Sequence, residues 1–248
     1  MTGFSSSLRT GRRALLDFLF PPRCAGCGRR GEWLCATCLT RVRFLGPPWC
    51  ERCGDPLPGG GRCAGCRSGG PFALDWARAA CAFGGPVREA IHRFKYGGER
   101  ARRDHLARFL CDWPTRPAVA ADGLLVPVPL DSARRRARGY NQAEELAGVL
   151  AREWRRPLST DLARTRRTRP QVGLDRRARR ENVRGAFAWR GASLAGRPIV
   201  LVDDVMTTGA TAEACAVALK AAGAASVGLL AVARPVGEAY LHDPPRDA

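Results

Sequence analysis

Four short apolar runs mark the chain: Ala77–Phe83, Gly123–Leu130, Ile199–Val202 and Val227–Ala233. Ile199–Val202 is unbroken, the pattern of a strand buried on both faces of a parallel sheet; Gly123–Leu130 is broken by Pro127 and Pro129, so that strand must end in an irregular loop. Segments of helical spacing lie between them. Pro86 suits a first helical position and opens Val87–Lys95, in which Val87, Ala90, Ile91 and Phe94 share one face before the glycine pair Gly97–Gly98. Arg100–Leu110, Ala143–Trp154 and the alanine-rich Ala212–Ala222 read as further helices, and Ala186–Trp189 as a strand leading through a turn-rich connection into the third apolar run. This alternation predicts an α/β fold, a mostly parallel sheet flanked by helices, with any ligand at the carboxyl ends of the strands. Residues 1–70 break the rhythm: a short apolar helix over Ala14–Phe20 gives way at Pro21–Pro22 to cysteine-rich, glycine-rich sequence. The division expected is a small N-terminal module, 1–70, and an α/β domain, 71–248.

The chemistry concentrates at Ile199–Glu213, IVLVDDVMTTGATAE. The strand ends in two carboxylates, Asp203 and Asp204, and a hydroxyl- and glycine-rich loop, Thr207–Thr208–Gly209–Ala210–Thr211, leads into the alanine-rich helix. Free backbone N–H groups at a helix N-terminus attract an anion, and threonine hydroxyls add neutral donors. The carboxylates must serve another part of the same ligand, as acceptors for sugar hydroxyls or as ligands for Mg²⁺. A sugar phosphate meets both needs. At these residues the chain resembles the type I phosphoribosyltransferases, whose binding motif for phosphoribosyl pyrophosphate (PRPP) is an apolar strand, an acidic pair and a Thr/Gly loop. The resemblance implies that Asp203 and Asp204, as the catalytic pair, hold the ribose hydroxyls, and that Thr207, Thr208, Gly209, Ala210 and Thr211 cradle the 5′-phosphate. Many members have a second glycine at Ala210, so this position must adopt a negative φ.

Cysteine usage defines the N-terminal module. Eight of 11 cysteines form C-x-x-C pairs, Cys24/Cys27, Cys35/Cys38, Cys50/Cys53 and Cys63/Cys66. Such pairs turn two thiolates toward one tetrahedral metal, so two structural Zn²⁺ sites of four thiolates are predicted, with no open position for catalysis. Short spans favour pairing in sequence order, and an interleaved arrangement is also compatible with the spacing. With so few apolar residues the module depends on metal to fold. Trp33, Trp49 and Phe44 are read as its core rather than as base-stacking groups. The thiolate sites, and the lack of any run approaching the roughly 18 residues needed to span a bilayer, point to a cytoplasmic protein with no membrane segment. Ala14–Phe20 is too short for a signal peptide and carries Asp17.

The net charge of +18 is almost entirely arginine, since Lys95 and Lys220 are the only lysines. Arginine suits phosphate and nucleic acid, although a GC-rich genome produces the same bias. Residues 131–190 hold 17 arginines against 7 acidic residues and form the predicted polyanion face. Lys95 is read either as a helix C-terminal cap or as a substrate-phosphate ligand.

Val126–Pro129 (VPVP), the R-x-x-R-G-Y-N-Q segment ending at Gln142, the acidic motif and the cysteine ribbon together resemble the ComF family (ComFC/GntX-like). This resemblance implies that Val128 and Pro129 form the pyrophosphate loop, that Arg135, Arg138 and Asn141 surround the site, and that Thr168–Phe187 supplies a mobile loop and the approach to an acceptor pocket. It further implies PRPP and Mg²⁺ as ligands, displacement of pyrophosphate as the reaction, and a place in DNA uptake. There the partners would be single-stranded DNA and a competence helicase. A non-enzymatic DNA-binding factor on the same fold is the competing reading.

Overall fold

The computed structural model describes residues 21–68, 73–113, 123–166, 168 and 176–237. The expected helix over 14–20, the connection 114–122 and the C-terminal tail lie outside these residues. The elements run β1 (Trp76–Ala82), α1 (Gly85–Tyr96), a 3₁₀ turn (Arg100–Arg102), α2 (Arg103–Cys111), β2 (Leu124–Pro127), α3 (Ser132–Arg138), α4 (Gln142–Trp154), β3 (Leu162–Arg164), α5 (Arg176–Val183), β4 (Phe187–Trp189), β5 (Pro198–Val205), α6 (Ala210–Ala221) and β6 (Ser226–Arg234).

Four strands form one sheet in the order β1-β6-β5-β2, every pair parallel. The apolar runs are continuous because both faces are covered. Successive residues of a strand point to opposite faces, so Val200 and Val202 pack in one core with Phe94, Leu110 and Leu146 of α1, α2 and α4. Ile199 and Leu201 enter the other core with Cys215 and Leu219 of α6 and Phe187 of β4. The antiparallel pair β3–β4 lies on this second side.

The strand over Gly123–Leu130 is regular through Pro127 and gives way beyond it, as its prolines required. Two expectations are revised. The helix expected from Arg100 starts as a 3₁₀ turn and becomes α-helical at Arg103. Ser132–Arg138, read as a basic stretch without secondary structure, is helix α3, with Asp131 capping Ala133 N–H and Arg134 N–H and left-handed Gly139 ending it.

The cysteine module packs on the first strand and α2. Phe44 meets Phe109 edge-on at 5.9 Å and Trp49 meets Trp113 at 5.8 Å. Leu45 N–H donates to Ala80 O at 2.8 Å and Ala82 N–H to Arg43 O at 2.9 Å, along the outer side of β1. At the opposite side of the sheet, Leu125 N–H donates to Pro157 O and Ser159 N–H to Leu125 O, both at 3.0 Å.

Candidate functional site

The site grows from the carboxyl end of β5. Strand alternation separates the two acids: Asp204 follows Val200 and Val202 toward α1, and Asp203 follows Ile199 and Leu201 toward α6. On the α1 side Lys95 Nζ lies 2.6 Å from Asp204 Oδ1, whose side chain is only 8% exposed. Asp203 accepts the Asp204 N–H at 2.8 Å. Burial, reinforced by the Asp204 charge and opposed by Lys95, raises the Asp203 carboxyl to about 7.

The following loop turns into α6 at Gly209, whose φ of 75° and ψ of 0° are left-handed. Ala210 stands in the first turn of the helix, buried, so its methyl is accommodated. The N-cap of α6 is Gly209, which offers no side chain, and Ala210 N–H donates to Thr208 Oγ1 at 3.4 Å. Thr207 is exposed and Thr208 half-buried at the start of α6. Glu213, in the same turn, faces away: it accepts the N–H groups of Ala73 and Leu74 at the entry to β1.

The second strand end lies alongside. Val128 N–H donates to Val202 O at 3.0 Å, carrying the β2–β5 pairing one residue beyond the regular strand and setting Val128 and Pro129 next to the acids. Asn141 is almost fully buried because it does two jobs: its Nδ2 donates to Val128 O at 3.1 Å, and its Oδ1 accepts Ala143 N–H at the start of α4. Arg138 donates to Gln142 Oε1 at 2.9 Å and to the Tyr96 hydroxyl at 3.0 Å, beside Lys95. Arg135 turns outward onto Glu144 at 2.8 Å. Lys95, Val128, Pro129, Arg138, Asn141, Asp203, Asp204 and the 207–211 loop thus assemble at one end of the sheet, with Arg135 at its rim.

Tyr140 of the R-x-x-R-G-Y-N-Q segment, and Glu145, Arg100 and Arg103, which sequence reasoning did not single out, hold this arrangement. The Tyr140 hydroxyl donates to Phe94 O, and Glu145 receives Arg100 and Arg103, tying α4 to the chain after α1. Arg164, on β3, lies over the Phe187 ring at 5.5 Å with its buried Nε unpartnered, and burial lowers its pKa. Within so arginine-rich a chain nothing in the sequence distinguished it.

The cysteines gather into two clusters in sequence order, Cys24, Cys27, Cys35 and Cys38, then Cys50, Cys53, Cys63 and Cys66; within each, all four sulfurs lie within 4.8 Å of one another. The interleaved arrangement is thereby excluded. The two knuckles repeat: Cys35 N–H points to Cys24 Sγ and Cys63 N–H to Cys50 Sγ, both at 3.4 Å. Burial works against ionisation of Cys24 and Cys50, yet backbone N–H groups overcome it and bring each thiol down to about 6. Four converging sulfurs with N–H support fit a tetrahedral Zn²⁺ with no vacant position, a structural site. Arginines of the α/β domain clasp both knuckles: Arg102 donates to Arg23 O and Trp33 O, Arg78 to Glu51 O, and Arg234 to Cys53 O. Trp33 and Trp49 stack under Arg102 and Arg78, so both serve this packing.

Among the described residues no helix is long and apolar enough to cross a membrane. Family models match a double zinc ribbon domain at residues 15–67 and a phosphoribosyl transferase domain at residues 137–244. The chain is 29% identical to competence protein F of Haemophilus influenzae, over 81% of this chain and 90% of that one. It is 32% identical to the DNA utilization protein YhgH of Escherichia coli K12, covering 79% and 88%, and 28% identical to competence protein ComFC of Bacillus subtilis, covering 73% and 75%. With two four-cysteine zinc sites packed on a parallel sheet of phosphoribosyltransferase type, the chain belongs to the ComF family.

Proposed function

We propose that this protein binds PRPP with Mg²⁺ at the carboxyl ends of β5 and β2 and transfers the phosphoribosyl group with release of pyrophosphate. The observation that carries the reading is the split acidic pair beside the N-terminus of α6: one strand end offers acceptors for a diol, and the adjoining loop and helix start offer donors for a phosphate. Asp203 and Asp204 take the ribose hydroxyls, and Thr207–Thr211 take the 5′-phosphate. Lys95, Arg138 and the backbone of Val128 and Pro129 face the pyrophosphate, with Arg135 at the edge and Asn141 fixing the loop. When bound, Mg²⁺ neutralises the leaving pyrophosphate. The transition state is cationic at the sugar, so the acids stabilise it electrostatically and hold C1 in line for the acceptor. In the free protein Lys95 occupies Asp204, and binding requires it to move toward the incoming phosphates.

The test is calorimetric titration of the zinc-loaded protein with PRPP. Saturable, Mg²⁺-dependent binding that Asp204→Ala abolishes supports the assignment; a variant that binds as the wild type does overturns it. The names of the relatives, a competence protein and a DNA utilization protein, support a part in DNA uptake or use, for which we propose a cytoplasmic location and a competence helicase as companion. A DNA-binding role without turnover is the second reading, favoured by the excess of arginine over acid in residues 131–190. It predicts single-strand binding that weakens steeply with salt and is indifferent to Asp204→Ala.

A further inference from the structure

One short stretch of chain joins the first zinc ribbon to the acidic pair. At its start, Lys95 Nζ pairs with Asp204. At its end, Arg102 leaves the α/β body and enters the ribbon, where it is 1% exposed. Its guanidinium donates to Trp33 O at 2.9 Å and Arg23 O at 2.8 Å, covers the Trp33 ring at 4.7 Å, and pairs through Nε with Glu99. Both carbonyls belong to the metal knuckle. Arg23 precedes the ligand Cys24, and Trp33 O also accepts Ala25 N–H at 3.0 Å inside the same turn. Between Lys95, in the last turn of α1, and Glu99 the chain passes through Gly97 and Gly98, and α3 and α4 hold it on the other side, where Arg138 donates to the Tyr96 hydroxyl and Glu145 accepts from Arg100. The position of this loop therefore depends on these contacts and on its far end, where Arg102 is the anchor to the ribbon.

A guanidinium presents several donors in a fixed plane, and a buried one that loses its acceptors must become hydrated or move. We infer that Arg102 is a positioning residue for the acidic pair: through it the first four-cysteine site holds the loop 96–102, and with it Lys95, against Asp204. Zinc in the first ribbon and ligand at the sheet end are then coupled, and the coupling is reciprocal. The inference rests on the PRPP reading only for its ligand readout.

The test compares full-length, zinc-loaded wild type with Arg102→Lys, which keeps the charge and loses the fork. Zinc content, amide exchange and PRPP affinity are measured. The expected result is two zinc ions retained, at least tenfold faster exchange over residues 95–101, unchanged protection in β6, and PRPP affinity about tenfold weaker. In a Lys95→Met background the Arg102→Lys change should have no further effect on affinity. Equal exchange over 95–101 in the two proteins overturns the inference, and so does a loss of affinity that simply adds to that of Lys95→Met. If Arg102→Lys loses β6 protection as well, Cys27→Ser replaces it, altering the exposed ligand of the same site. With β6 protected, the 95–101 amides must again exchange faster, or the inference fails. A wild type that does not titrate with PRPP sinks the ligand reading alone, since the exchange comparison stands without it.

Discussion

Replacing Asp203 with asparagine should stabilise the protein at alkaline pH. The folded carboxyl is held at about 7 by burial and by Asp204, against an ordinary value of 3.8. Between these values the folded state keeps a proton that the unfolded state has released, so wild-type stability falls as pH rises toward 7 and is level above it. From pH 5.5 to 7 this is one and a half units at about 1.4 kcal/mol each, or about 2 kcal/mol from one group. Asparagine does not titrate, and its Oδ1 can still accept the Asp204 N–H. Urea unfolding of zinc-loaded wild type and Asp203→Asn at pH 5.5 and pH 8 isolates the term, because other titrations cancel in the difference. The variant's advantage should be about 2 kcal/mol larger at pH 8. An advantage equal at the two pH values, within about 0.5 kcal/mol, refutes the argument that Asp203 is held partly protonated. The same variant should lose PRPP affinity, and wild-type affinity should weaken as pH falls below about 7, where the carboxylate acceptor is protonated. This would be a site built at a cost in stability.

Three further outcomes follow from the geometry. Gly228→Ala places a Cβ 2.0 Å from Trp76 Cε2, so urea unfolding should show a loss of about 1–3 kcal/mol from overpacking between β6 and β1. Asn141→Ala removes both the α4 cap and the bond to Val128 O, and should cost about 2 kcal/mol in the same assay while weakening PRPP binding. Metal analysis should find two zinc ions per chain, and Cys50→Ser should remove one of them and change Trp49 fluorescence, since Trp49 lies under Arg78 at the second knuckle.

The sheet was legible because a parallel strand covered on both faces leaves no room for polar residues, so Ile199–Val202 and Val227–Ala233 announced themselves. The paired acids and the Thr/Gly loop were legible because the strand-to-helix turn concentrates them in nine residues. Helix α3 was not, because it has no apolar face; only Asp131 and Gly139, its caps, mark it, and each is common in loops. The pairing of the cysteines needed coordinates, since spacing admits two arrangements. Arg102, Arg78 and Arg234 were hidden for a different reason: the acceptors that bind them to the ribbon include backbone carbonyls, which no side-chain pattern reveals, in a chain where nearly every cation is arginine.

The bonds from Arg43 and Leu45 to Ala80 and Ala82 bear on how the protein fails. β1 is a margin of the sheet, and its outer row of amides and carbonyls finds partners in a segment whose fold depends on zinc. Loss of metal therefore does more than unfold a small module, because it bares a strand edge able to add strands from other copies. Metal-stripped protein should precipitate at concentrations where the loaded form stays monodisperse, which makes colloidal behaviour a sensitive gauge of zinc occupancy in this fold.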